Sequence, residues 1–280
     1  MSARALPRRR LLIGDARTRL AELPRRSVDC VITSPPYFLL RDYQVDGQIG
    51  LEPNVNGWVD QLLEVLDELA RLLKPSGGLW LNLGDSYSRH SRYGAPAKSL
   101  LLGPERLLLQ LAARGWIVRN KLVWAKPNPM PTSVRDRLTC SWEPIYFLVR
   151  SGDYFFDLDA IREAHRSERR AQTHPPTRDK YGGRRPSWAG PLAGTNSGLV
   201  KNRMLGRAGH PLGKNPGDVW SIAKAQFRGA HFATFPVALL EKPLLATCPE
   251  RVCAGCGRPW QRGGGSLRAD CECGAAWQPG

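Results

Sequence analysis

Apolar residues fall into short runs bounded by turn residues along the first half of the chain. Residues 11–14 (LLIG) and 28–32 (VDCVI) are brief, partly β-branched runs and predict buried strands. Between them, ARTRLAELP has helical spacing, with Leu20 and Leu23 on one face and Pro24 as its stop. Residues 57–73 place Trp58, Leu62, Leu66, Leu69 and Leu73 on one stripe, which predicts an amphipathic helix. Lys74-Pro75-Ser76-Gly77-Gly78 reads as its terminator, and LWLNL (79–83) as the next strand. A Leu-rich helix is expected over 100–114, ended by Gly115. Strands are expected over 116–124 and 143–150. The alternation of strand and helix predicts a mostly parallel sheet covered by helices.

The pattern changes after residue 159. From 160 to 214 there are twelve Lys or Arg, three acidic residues and no apolar periodicity. Periodicity returns at DVWSI (218–222) and in PVALLEKPLLA (236–246), a short helix interrupted by proline. The expected organisation is therefore a core over 1–159, a basic loop-rich insertion over 160–214, a return to the core over 215–247, and a small module over 248–280.

Charge sharpens this picture. The formal net charge of +16 on 280 residues implies a polyanionic partner, since clustered Lys and Arg neutralise phosphates and release counterions. Double-stranded DNA is the expected partner, contacted by Arg169, Arg170, Arg184, Arg185, Lys201 and Arg203 of the insertion; a solvated linker is the plain alternative. No run of about 18 apolar residues occurs, so no membrane span is expected. The N-terminal stretch is too polar for a signal peptide, and the cysteine usage fits a reducing cytoplasm.

Five of the seven cysteines follow position 247. Cys253-x₂-Cys256 and Cys271-x-Cys273 are knuckle-like pairs whose four thiolates suit tetrahedral Zn²⁺, with Cys248 a spare ligand. Such a zinc ribbon is structural, because a segment this small has no core of its own.

The chemistry lies in Thr33-Ser34-Pro35-Pro36-Tyr37, a rigid loop at a strand's carboxyl end, where open α/β sheets bind ligands. A hydroxyl and a carbonyl held still by prolines are suitable acceptors for an exocyclic amine, whose lone pair is otherwise delocalised into the base ring. Tyr37 is placed to stack on a base. Inside a duplex no base reaches such a loop, so the target must be flipped out.

This TSPPY motif, preceded by VDCVI and followed by LWLNLGDSY and WAKPNPMP, resembles the catalytic motif of the β-class DNA amino-methyltransferases, and the likeness runs from about residue 11 to 247. It implies a Rossmann-like methyltransferase sheet with circularly permuted motif order. It also implies methyl transfer from S-adenosylmethionine to cytosine N4, preferred over adenine N6. Ser34, Pro35, Pro36 and Tyr37 are the catalytic positions it implies. Asp15, Thr33, Phe232, Thr234 and Pro236 are the donor-site positions, although Asp15 also reads as a helix N-cap. Lys126, Arg135 and Arg137 are candidate DNA contacts or surface cations, and Asp85 either faces the pocket or caps a turn.

One departure stands out. The family's glycine-rich donor-binding turn does not appear after HFATFP (231–236). The sheet is therefore expected to be incomplete at the C-terminus, with weak donor affinity for this chain alone. A complementing chain carrying that turn is one expectation. A truncated DNA-binding remnant without turnover is the other.

Overall fold

A computed structural model describes residues 10–165, 210, 212–224, 227–229, 233–263, 266–268 and 273–279. The chain divides into two compact units, one formed by 1–157 with 217–280 and the other by 158–216. The expected insertion over 160–214 lies largely outside the described residues. Of its DNA-contact candidates, Arg169, Arg170, Arg184, Arg185, Lys201 and Arg203 lie outside the described residues. Within the second unit Glu163 and Lys214 exchange backbone hydrogen bonds of 3.0 and 2.8 Å, and their side chains form an ion pair.

The first unit is built on a five-stranded sheet in the order β1-β2-β4-β3-β5. The strands are β1 (Val28–Thr33), β2 (Leu73–Asn82), β3 (Ile117–Ala125), β4 (Trp142–Val149) and β5 (Val219–Ser221). β1 pairs with β2 in parallel, as β3 does with β5, while β4 runs antiparallel to both of its neighbours. The sheet is thus mixed, which corrects the mostly parallel expectation. β4 enters the sheet beside β3 directly, with no crossover helix between them, and this reverses its direction. As a result the carboxyl ends of β1, β2 and β3 share one edge with the amino end of β4.

Helix α1 (Ala16–Ala21) starts at Asp15 and stops short of Pro24. Helix α2 (Val55–Leu72) starts at Asn54, whose side chain accepts from the N–H groups of Asn56 and Gly57. It buries Val55, Trp58, Val59, Leu62, Leu63, Leu66, Leu69 and Leu72 against the sheet. Burying one such side chain stabilises by roughly 1.5–3 kcal/mol, so a charge at Leu62 would break the packing. Helix α3 (Gly103–Ala113) adds Leu107 and Leu111 to the same core. On the other face, helix α4 (Ala238–Thr247) brings Leu239 to a second cluster around Trp80, Trp124, Phe147 and Trp220.

Two sequence expectations fail here. Residues 11–14 form no strand; Leu11 and Ile13 are exposed, and among the described residues no strand pairs with them. Lys74–Gly78, expected as a terminator, is the first part of β2. A bulge between Val28 and Cys30 absorbs the irregular pairing there.

The C-terminal segment pairs β6 (Arg251–Cys253) antiparallel with β9 (Trp277–Pro279), and β7 (Gln261–Gly263) with β8 (Ser266–Arg268). Three-residue strands in isolated pairs do not hold themselves together in water.

Candidate active site

The TSPPY loop leaves β1 at the shared strand edge, and two hydrogen bonds fix its course. The indole N–H of Trp58 donates to the Pro36 carbonyl at 2.9 Å, and the Leu39 N–H donates to Gly50 O at 2.7 Å. The Pro36 carbonyl is thereby consumed, whereas that of Pro35 accepts no hydrogen bond among the described residues. The Tyr37 ring packs close against Gly84, where a Cβ would come within 2.5 Å of it. Only glycine permits that approach.

Ser34, Pro35 and Tyr37 form one wall of a cavity of about 300 Å³. Asn82, Trp124, Lys126 and Glu143 line it from the neighbouring strand ends, and Thr234 and Phe235 from the segment before α4. That volume is at the lower end of the range for small-molecule sites, roughly 300–1,000 Å³. A larger cleft of about 810 Å³ lies near Lys74 and Cys256, at the opposite end of β2, and carries none of the motif residues.

The polar groups of the smaller cavity form a connected network. The Tyr37 hydroxyl donates to Glu143 Oε2 at 2.7 Å, and Glu143 Oε1 accepts from Lys126 Nζ. The Asn82 amide donates to Pro144 O at 3.1 Å and to Glu143 Oε2 at 3.3 Å. Its Oδ1 accepts from Ser34 Oγ at 3.2 Å. Burial, with the Glu143 charge beside it, holds the Tyr37 phenol well above its ordinary range, so it stays protonated. Lys126 also lies over the Trp124 ring, 4.6 Å from the centroid. The Lys126–Glu143 pair is largely withdrawn from solvent, with side-chain exposures of 14% and 19%.

Other expected site residues are placed differently. Thr33 lies beside the cavity, in a small apolar recess with Trp80, Phe235 and Leu239. Pro236 is buried at the entry to α4, and Phe232 lies outside the described residues. Asp15 caps α1, accepting from the Arg17 N–H at 2.8 Å; the side-chain bonds from Arg17 hold its carboxyl down at about 2. Asp85 accepts from the N–H groups of Leu102 and Gly103 at the start of α3 and so caps it, while burial raises its carboxyl. Arg137 stacks on Tyr87, 3.8 Å from the ring centroid, and Arg135 is exposed; neither lines the cavity.

Asn82 and Glu143 were not read from the sequence as site residues. Their signal was present: an Asn interrupts the apolar run LWLNL, and a Glu opens the apolar strand EPIYFLV. What hid them was the antiparallel insertion of β4, which carries Glu143 to the same edge as Ser34.

In the C-terminal module the Sγ atoms of Cys253, Cys256 and Cys273 all lie within 4.8 Å of one another. The Gly257 N–H donates to Cys253 O at 2.9 Å and closes a tight turn, with Gly257 at a φ of +70°. Cys271 lies outside the described residues.

A mixed α/β sheet with a proline-stiffened loop and a base-sized polar cavity at its strand edge is the architecture of a methyltransferase domain. The fold superposes on the PvuII DNA methyltransferase, titled cytosine-N4-specific, with a TM-score of 0.53 at 16% identity, covering 85% of this chain and 70% of that one. The N6/N4 DNA methylase family model matches residues 28–274, and the chain belongs to that family. Type II methyltransferase M.SfiI of Streptomyces fimbriatus is 45% identical over 166 residues, 56% of this chain and 39% of its own length. Type II methyltransferase M.Cfr9I of Citrobacter freundii is 34% identical over 258 residues, 85% of this chain and 72% of its own length.

Proposed function

We propose that the chain is an S-adenosylmethionine-dependent DNA methyltransferase of restriction-modification type that methylates the exocyclic amine of a flipped base, cytosine N4 before adenine N6. The observation that carries this reading is the placement of the Ser34 hydroxyl and the unengaged Pro35 carbonyl on one wall of a base-sized cavity. These acceptors would take the two N–H bonds of the target amine and draw its lone pair out of conjugation. Tyr37, pinned by Glu143, offers the base a fixed aromatic face. Catalysis is then mainly positioning.

The residues present fit a methyl donor. Thr234 and Phe235 reach the same cavity as Ser34, and with Pro236 they would hold the donor's methionine end. When bound, S-adenosylmethionine supplies a methyl group on a sulfonium, an electrophile that needs no further activation. The preference for cytosine is supported by the Ser in SPPY and by the cytosine-N4 specificity of the PvuII enzyme. DNA is held in this reading through the basic 160–214 segment. The three clustered thiolates, with Cys271 as the fourth expected ligand, take a structural Zn²⁺.

Incubation of the purified chain with methyl-labelled donor and mixed-sequence duplex DNA, followed by mass spectrometry of the nucleosides, tests the proposal. N4-methylcytosine is expected. N6-methyladenine would overturn the base choice. Retained DNA binding without label would favour a binding protein that lacks turnover.

A further inference from the structure

The hydroxyl of a serine is an ambiguous group: it donates one hydrogen bond and accepts two. For Ser34 to serve a target amine it must only accept, so its single proton has to be engaged elsewhere. The surrounding network specifies where.

The orientation of the Asn82 amide is dictated by its neighbours. Pro144 O, at 3.1 Å, and the Glu143 carboxylate, at 3.3 Å, only accept. The amide nitrogen must therefore face them, which turns Oδ1 toward Ser34. Next to it, the Tyr37 hydroxyl has one proton, and the Glu143 carboxylate claims it at 2.7 Å, against 3.1 Å to Asn82 Oδ1. A charged acceptor at the shorter distance makes the stronger bond. Lys126, paired with the other carboxylate oxygen, holds Glu143 in place. With its proton spent, the Tyr37 oxygen offers Ser34 a further acceptor at 3.4 Å. Ser34 Oγ is thus flanked on its inner side by Asn82 Oδ1 and the Tyr37 oxygen. Among the described residues nothing else hydrogen-bonds to it.

We propose that Asn82 is a positioning residue that takes the Ser34 proton, commits the Ser34 lone pairs to the cavity, and so makes the cavity select amino over oxo nucleobases. This rests on the base-pocket reading above and extends it to how the pocket discriminates. Cytosine and adenine present an N–H₂ group at the reactive edge, whereas thymine and guanine present a carbonyl oxygen. An oxo base would set its oxygen against the Ser34 lone pairs, leaving acceptors facing one another and unsatisfied. A serine free to rotate would instead donate to the carbonyl and accept both classes. Asn82 is 7% exposed on β2, rigid enough to enforce the choice.

The test uses the full chain and two free bases, 1-methylcytosine and 1-methyluracil, with affinities measured by ligand-observed NMR titration. The unmodified chain is expected to favour 1-methylcytosine by about tenfold or more, because a site built for one hydrogen-bonding pattern rejects the reverse pattern strongly. Asn82→Leu, which removes the acceptor, is expected to bring the ratio to within about twofold, weakening 1-methylcytosine and strengthening 1-methyluracil. Ser34→Ala is expected to narrow it as well, the Pro35 carbonyl holding what remains. If circular dichroism shows Asn82→Leu unfolded, Asn82→Ser, whose hydroxyl stops short of Ser34, replaces it. A preference that is undiminished by loss of the Asn82 acceptor, or undiminished in Ser34→Ala, overturns the positioning role while leaving the base pocket standing. Binding of neither base to the unmodified chain overturns the base-pocket reading itself, and this role with it.

Discussion

Trp58 and Pro36 join the main core helix to the proline loop through one hydrogen bond, from the indole N–H to the Pro36 carbonyl at 2.9 Å. Trp58 is 1% exposed, and the bond it makes to the Pro36 carbonyl is partly buried. Trp58→Phe keeps an aromatic ring but orphans that carbonyl and leaves a small void. Stability to urea should fall by about 2 kcal/mol, the sum expected for a lost hydrogen bond to a partly buried acceptor and a modest cavity. Methyl transfer should fall further than stability alone explains, because the loop that carries Ser34 is no longer held. Equal stability in the variant would show that the bond is not a fastening.

Two tyrosines should contribute to the alkaline limb of stability. Burial holds the Tyr37 and Tyr146 phenols above their ordinary range, each with a neighbouring glutamate, Glu143 and Glu105 respectively, adding to the shift. Unfolded, a tyrosine loses its proton near pH 10; folded, these two keep theirs. Above pH 10 the unfolded state therefore binds fewer protons than the folded state, and stability falls as pH rises. The slope should approach 1.4 kcal/mol per pH unit for each tyrosine. Denaturant melts between pH 9 and 11.5 should show that limb, and Tyr37→Phe and Tyr146→Phe should each remove one share of it.

Much of this fold could be read from residue patterns because local rules and tertiary packing agree. The Trp58–Leu69 stripe is a helix face, Gly115 ends the next helix at a φ of +82°, and TSPPY lies at a strand's carboxyl end. Local rules failed where pairing decides. Among the described residues LLIG pairs with no strand despite its composition, and Lys74–Gly77, with a turn's composition, is carried in β2 as an irregular stretch between the paired Leu73 and Gly78. The site divides along the same line. Ser34, Pro35 and Tyr37 are contiguous and carry their own signature. Asn82 and Glu143 join them only through the register that sets Asn82 opposite Ile145 and Glu143 opposite Trp124.

Asp15 offers a clean separation of a cap from a ligand. Its carboxylate accepts from the Arg17 N–H and pairs with the Arg17 guanidinium, and it remains substantially exposed. As a cap, Asp15→Ala should cost about 1 kcal/mol of stability and Asp15→Ser almost nothing. Donor affinity, measured by calorimetry with S-adenosylmethionine, should be the same in both variants and in the unmodified chain. A tenfold loss of donor affinity in Asp15→Ser, with stability intact, would return Asp15 to the donor site.

The thiolate cluster should report a metal directly. Cys253 and Cys273 approach to 3.1 Å between Sγ atoms, close enough for either a shared ion or an oxidised pair, and the two differ in what they release. A zinc site should give about one Zn²⁺ per chain by mass spectrometry of the purified protein. Cys256→Ser should lower that content and expose the β6–β9 pair to proteolysis while the five-stranded sheet stays folded, since three-residue strands hold weakly by themselves. A chelator should reproduce the effect and a thiol reductant should not. The reverse pattern, with no zinc and cleavage triggered by reductant, would identify a disulfide in its place.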